Sequence, residues 1–407
     1  MKDRKTFYLL APGFSDAHLT KDVGLIPYLM QKYMGYEAVY AIYKPSKGEM
    51  TWPSLPFFSE DIKFDYIEPS FEYDPDHMME TVFGSNLSDC AKDVEKYIQR
   101  NAAKIDVLYL FGFYPFYFHA VMKYKQLNPA GKVYLKLDAN IAWINKTPID
   151  STFFQFLRSC DLITTETMVD YINQKWPVPV YYLPNGYYPL GSDDRLNTIF
   201  EFENKEDIIF TAGRLGTPQK LTDQLLQAFK LAVPHIPASW KLVLAGSIEE
   251  QFLPYIDQFM KDNEGLAERI IFTGMIKDKT VLNDWFAKSK IFALPSAYEG
   301  FPNVFAEARA HGCYYIASDI EYSRDAAMHE SSKDTMNESY AASSRHVGFG
   351  SLHAVGDTAE LAERFIEACN NPELLQKVCY RTQQDAIEYL DWVKLCAKID
   401  IMLNMKA

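Results

Sequence analysis

The chain predicts an α/β fold of two tandem halves, each an open, mostly parallel sheet covered by helices on both faces. Three observations carry this expectation. Short, continuous apolar runs alternate with amphipathic helical stretches, the pattern of a sheet buried on both sides. The alternation restarts after Pro184-Asn185-Gly186. At 407 residues, the chain exceeds what one ordinary core holds.

In the first half, Thr6–Leu10 reads as a strand ending in Ala11-Pro12-Gly13, and about Asp22 to Met34 as a helix. Glu37–Tyr43 reads as the next strand. Residues 44–76, rich in Pro and aromatics, read as an irregular insertion with short strands. About Asp89 to Asn101 is an amphipathic helix. Ile105–Leu110, Val133–Leu137 and Asp161–Thr164 are strands, with Phe153–Arg158 helical. Polar residues 191–206 read as a linker. In the second half, Ile208–Thr211, Lys241–Ala245, Arg269–Phe272, Ile291–Leu294 and Tyr314–Ile316 read as strands, the last closing the sheet. Leu221–Leu231, Thr280–Ala287 and Val304–Ala310 read as helices, and Pro372 to Met405 as largely helical. The boundaries that follow are 1–190, with about 386–407 returning to it, and 191–385.

Composition excludes several function classes. A net charge of −13 argues against nucleic-acid partners, which require a surplus of Lys and Arg. The first 190 residues carry only −3 of it (19 basic, 22 acidic). The six cysteines form no C-x-x-C pair and suit reduced, buried thiols, which points to the cytoplasm. The amino terminus shows no signal peptide, and no apolar run reaches the ~18 residues of a membrane span. Any membrane contact is then peripheral, at the inner face.

The chemistry-bearing segments lie in the second half. Thr211-Ala212-Gly213-Arg214, with Lys220 six positions on, places a glycine, a guanidinium and an ammonium between a strand and a helix. Glycine admits close backbone approach, Arg offers a planar fork to phosphate oxygens, and Lys adds a mobile charge. The plain alternative is a pair of solvated surface cations. Pro295 to Glu307 then holds Glu299 in a loop after a buried strand and Glu307 one turn into the next helix. Amides of Asn303 and Val304 at the helix start favour an anion. Read singly, each glutamate is an ordinary turn or helix carboxylate.

Together, and in this order, these segments resemble the family 4 glycosyltransferases, retaining enzymes of GT-B fold. The resemblance rests on Gly213-Arg214…Lys220, Leu242-Val243-Leu244-Ala245-Gly246, Phe272-Thr273-Gly274, Glu299…Glu307 and Ala310-His311-Gly312, with Pro184-Asn185-Gly186 closing the first domain. It covers about residues 160 to 320. It implies two Rossmann-like domains facing across a cleft, an acceptor domain first and a nucleotide-sugar donor domain second, with a carboxyl-terminal helix returning to the first. It further implies Arg214 and Lys220 on the donor diphosphate, Glu307 on the ribose and Glu299 on a hydroxyl of the transferred sugar. Met275 and Ile276 would lie against the base, and Gly13 would face the donor from the first domain. Gly213, Gly246, Tyr298, Gly300, Phe301, Pro302, Asn303 and Val304 complete the expected donor site. The implied partners are a nucleotide-diphospho-sugar, with a UDP-sugar favoured, and a saccharide, lipid-linked or protein-linked acceptor. No cofactor and no metal are expected. The rival reading is a GT-B-shaped binding subunit without turnover.

The chain departs from that pattern in three places. Gly13 stands without a second glycine, Pro302 replaces a glycine and lacks an N–H, and Phe111-Gly112-Phe113-Tyr114 stands where many relatives place a histidine. His119 follows and reads as a packed or surface residue. Asp138, after the strand ending at Leu137, is the polar candidate of the first domain for catalysis, or else a helix cap. Asp74-Pro75-Asp76-His77 contains an Asp-x-Asp, read as a turn or cap rather than a metal site. The aromatic run Phe113 to Phe118, with Lys123 and Lys125 nearby, reads chiefly as core, with a membrane interface or stacking on an acceptor sugar as the functional alternatives.

Overall fold

The structure, a computed structural model, describes residues 4–138, 140–191, 198–331 and 346–405. It divides into two compact units, 1–192 together with 392–407, and 193–391.

The first unit holds a seven-stranded sheet. Its strands are β1 (Thr6–Leu10), β2 (Glu37–Tyr43), β3 (Lys63–Ile67), β4 (Val107–Phe111), β5 (Lys132–Lys136), β6 (Leu162–Thr165) and β7 (Tyr181–Tyr182). Their order is β3-β2-β1-β4-β5-β6-β7, and every pairing is parallel. The β1 sequence TFYLL is buried at all five positions, as a strand covered on both faces requires. One face packs against helices Leu87–Asn101, Phe118–Leu127 and Ser151–Ser159. The other packs against helix Asp22–Met34 and the returning helix Trp392–Asn404, which contributes Trp392, Leu395, Cys396, Ile399 and Leu403. The preceding helix, Pro372–Tyr389, belongs to the second unit, so the return starts at Trp392 rather than near residue 386.

The second unit holds β8 (Glu206–Ala212), β9 (Lys241–Ala245), β10 (Ile270–Gly274), β11 (Ser289–Leu294), β12 (Tyr314–Ser318), β13 (His346–Val347) and β14 (Gly350–His353). The order is β10-β9-β8-β11-β12-β14-β13, parallel except for the edge pair β13–β14. The sheet thus continues two strands beyond Tyr314–Ile316, where the sequence reading closed it. Helix Thr358–Cys369 was also missed.

Both sheets reverse their winding between the first strand of the unit and the fourth, at β1/β4 and at β8/β11. In open α/β sheets, the crevice beyond the carboxyl ends of such a strand pair is where ligands bind. The loops that follow β8 and β11 carry the charged motifs. Those that follow β1 and β4 carry Gly13 and the aromatic run.

Candidate donor site

The site at the β8/β11 switch is built by backbone contacts that draw successive loops together. Gly213 N–H donates to Ala245 O at 2.9 Å, and Gly246 N–H to Gly274 O at 2.9 Å. A Cβ at Gly246 would stand 1.7 Å from the Gly213 carbonyl oxygen, and its φ is +144°. Only glycine lets β8 and β9 close up here. Leu215 N–H continues the seam to Ser247 O at 2.8 Å.

A second seam joins the loop after β8 to the loop after β11. Ala297 N–H donates to Gln219 O at 2.8 Å, and Gln219 Nε2 donates to Tyr298 O at 3.0 Å and to Glu299 Oε2 at 3.1 Å. Lys220 Nζ lies 2.5 Å from Glu299 Oε1. The two motifs therefore converge on one ion pair, with side chains only 16% and 9% exposed. Arg214 stands beside them, exposed and with no ion-pair partner among the described residues. Thr211, Gly213, Arg214 and Lys220 line a small hollow of about 10 Å³, roughly one water's room.

Glu307 lies in helix Asn303–Ala310, largely buried, and Lys279 Nζ meets its Oε1 at 2.7 Å. Lys279 opens helix Lys279–Lys288, so this pair ties together the helices that follow β10 and β11. No hydrogen bond or ion pair joins Glu307 directly to Lys220 or Glu299 among the described residues; both pairs follow the carboxyl ends of strands in the same sheet. Pro302 caps helix Asn303–Ala310 without a side-chain bond; Phe305 N–H donates to Pro302 O at 2.9 Å, and the amides of Asn303 and Val304 at the helix start have no intrahelical acceptor. Beside them, Ser296 Oγ and Asn303 Oδ1 are buried without a protein partner. Native interiors rarely leave such groups unpaired, and a ligand oxygen or hydroxyl would satisfy them. Met275 and Tyr298 are exposed, and Ile276, Gly300 and Val304 are half-buried. The Phe301 ring instead turns inward against Phe305 and Tyr322.

The sequence reading missed Gln219 and Lys279. Each is an ordinary surface type, and only the fold brings it to a motif carboxylate. It also missed a buried cluster in the first unit. Lys136 is fully buried between Asp22 Oδ2 at 2.8 Å and Glu166 Oε1 at 2.7 Å. A lysine inside the apolar strand KVYLK was the signal available. Burial opposes the Lys136 charge, but the two carboxylates outweigh it and raise its pKa. Burial lifts Glu166 to about 7 against the pull of Lys136.

Asp138 lies just past β5 with an exposed side chain. Enclosure by protein atoms, then the Asp22 charge, raises its pKa. Gly13 faces inward within its own unit: a Cβ there would lie 2.9 Å from the Phe83 ring. His119 is exposed. Asp74 caps a short turn, accepting from Asp76 N–H at 2.9 Å and pairing with His77 at 2.8 Å. Among the described residues, no helix is long and apolar enough to cross a membrane.

Comparison with known proteins bears on the fold and on the second unit as a whole. A family profile described as "Glycosyl transferases group 1" matches residues 206–371, from β8 to the turn after helix Thr358–Cys369. A lipopolysaccharide core biosynthesis mannosyltransferase, LpsB of Rhizobium meliloti (strain 1021), is 30% identical over 104 residues, 25% of this chain and 28% of its own length. An amylovoran biosynthesis glycosyltransferase, AmsD of Erwinia amylovora, is 24% identical over 163 residues, 39% of this chain and 43% of its own. The chain thus spans less than half the length of these curated relatives. Among solved structures, a sucrose-phosphate synthase from Thermosynechococcus elongatus superposes with a TM-score of 0.70 at 14% identity, covering 98% of each chain. HepE of Anabaena, solved with UDP and glucose, gives 0.63 at 16% identity over 98% of this chain and 99% of its own. Residues 206–371 thus match the glycosyl transferases group 1 profile, in a chain that shares the GT-B fold of these solved structures.

Proposed function

We propose that the protein is a retaining glycosyltransferase of the family 4 type. It moves a hexose-type sugar from a nucleotide-diphospho-sugar to a saccharide, lipid-linked or protein-linked acceptor. The second unit takes the donor, with a UDP-sugar favoured, and the first takes the acceptor. The observation that carries this reading is the convergence of Arg214, Lys220 and Glu299 around the Gly213 turn.

The chemistry follows from those groups. Arg214 and Lys220 stabilise the negative charge that grows on the departing diphosphate, the work a metal ion does elsewhere. Glu299 accepts a hydroxyl of the transferred sugar, and Glu307 accepts the ribose hydroxyls. Attack comes on the face the diphosphate leaves, so configuration is retained, and the departing phosphate oxygen takes the acceptor's proton. Neither a metal nor a cofactor enters this scheme.

A thermal-shift panel of UDP-, GDP- and ADP-sugars tests donor binding. We expect one UDP-sugar to stabilise the protein and to release UDP slowly in water. Arg214→Ala and Lys220→Ala should each cut that release by about 10²–10³-fold. Donor binding with no release, in any acceptor mixture, would favour the rival binding subunit. Near-normal release in both variants would discard the role assignment.

A further inference from the structure

The aromatic run after β4 divides into two populations. Phe113, Phe116 and Tyr117 are buried in the core of the first unit, each no more than 2% exposed. Tyr114 is not among them. Its ring is half-buried and joins a row of contacts, with Phe83 at 4.7 Å and Trp143 at 5.4 Å, while it stacks on the buried Phe116 at 5.4 Å. Phe83 and Trp143 are likewise half-buried.

The three rings come from separate elements. Phe83 sits in a π-helical turn, Thr81–Ser85, of a kind that recurs at functional sites. Gly13, after β1, makes room for its ring. Tyr114 follows β4, and Trp143 lies on helix Ile141–Lys146 after β5. The row therefore lies at the carboxyl end of the first unit's own switch point, β1/β4.

Two polar groups accompany the row. The Tyr114 hydroxyl and the Asp138 carboxylate, which follow the adjacent strands β4 and β5, have no hydrogen-bond partner among the described residues. Burial, then the Asp138 charge, raises the Tyr114 pKa, so its hydroxyl stays a donor. Half-buried aromatic rings beside an unpaired carboxylate and a phenol suit a sugar ring. Its C–H face packs on the rings while its hydroxyls meet the polar pair. An acyl chain would leave both polar groups unsatisfied.

We propose that Phe83, Tyr114 and Trp143, with Asp138, form a saccharide-stacking subsite that receives the acceptor. The inference rests on the transferase reading above and narrows its acceptor to a saccharide.

Saturation-transfer NMR on the full chain with bound UDP tests it, using maltose, cellobiose, lactose and methyl α-mannopyranoside at millimolar concentration. At least one sugar should receive saturation. Trp143→Ala should weaken its binding about tenfold, and Asp138→Asn severalfold, while Trp143→Phe retains most of it. Because Trp143 also touches Phe113, the Phe variant keeps the test independent of folding. Response to none of these sugars would overturn the subsite, as would equal binding by Trp143→Ala. A Trp143 fluorescence shift with phosphatidylglycerol vesicles but not with sugars would overturn it too. Calorimetry with UDP alone reports on the donor reading separately.

Discussion

Lys220 and Glu299 neutralise each other at 2.5 Å, with Gln219 holding the second Glu299 oxygen at 3.1 Å. The cation assigned to the diphosphate and the carboxylate assigned to the sugar are thus stored as a pair. A donor has to divide them, taking the ammonium on its phosphates and the carboxylate on a hydroxyl. In our reading the phosphates replace the carboxylate on Lys220 charge for charge, whereas Glu299 exchanges an ammonium for a neutral hydroxyl.

This arrangement separates stability from turnover. Lys220→Met leaves Glu299 nearly buried with one neutral donor, which should cost on the order of 3 kcal/mol. Adding Glu299→Gln removes the stranded charge and should return most of that loss. Neither variant should turn over donor above about a hundredth of the native rate. Urea titration and nucleotide release measure the two quantities. Recovery of both together in the double variant would show that the pair serves folding alone.

The second pair predicts a change in selectivity. Lys279 binds Glu307 Oε1 at 2.7 Å and so fixes the orientation of that carboxylate. In our reading the carboxylate accepts the ribose hydroxyls. Lys279→Met should lower UDP affinity by about five- to tenfold and leave 2′-deoxy-UDP less affected. Calorimetry with both nucleotides gives the ratio. An unchanged preference for the ribonucleotide would detach Lys279 from this role.

What the sequence made legible follows from the physics of each signal. The strands β1, β2 and β8 to β12 were readable because burial on both faces demands continuous apolar runs. The charged motifs were readable because their order and spacing are local. The last two strands, β14 and the edge strand β13, were not. β14 begins with Gly350, a residue that weakens a strand reading. Yet a Cβ there would lie 1.9 Å from Tyr315 O, so the close pairing with β12 is what excludes a side chain. Gln219, Lys279 and Phe83 were hidden for a different reason. Each acts on a residue distant in sequence, and nothing in its immediate neighbours reports the contact. The Phe113 to Phe118 run was read chiefly as core, which holds fully for Phe113, Phe116 and Tyr117, while Tyr114 and Phe118 are half-buried against that core.

Gly246 should tolerate no side chain. Its φ of +144° disfavours alanine, and the added Cβ would occupy the position of the Gly213 carbonyl. Gly246→Ala should destabilise the second unit by more than about 4 kcal/mol, at the upper end of single-residue effects. Hydrogen exchange should show fast exchange in β8 and β9 while β1 and β4 stay protected. Full protection of β8 would mean that the seam yields without strain.

The buried Asp22–Lys136–Glu166 cluster predicts a pH dependence of definite sign. Burial raises the Glu166 pKa from 4.5 to about 7. Between those values the folded state keeps a proton that the unfolded chain has released. Its contribution to stability is therefore greatest at low pH and falls as pH climbs from 4.5 to about 7. The half-buried His18 and the buried His311 act in the opposite direction, because desolvation lowers each from 6.5 to about 4. The folded state resists their protonation, so stability falls as pH drops from 6.5 to 4. Glu166→Gln removes the first trend and leaves the second. Relative to the native protein, the variant should therefore gain stability as pH rises from 5 to 8 in urea titrations. A difference between the two proteins that stays flat across that interval would place the Glu166 proton elsewhere.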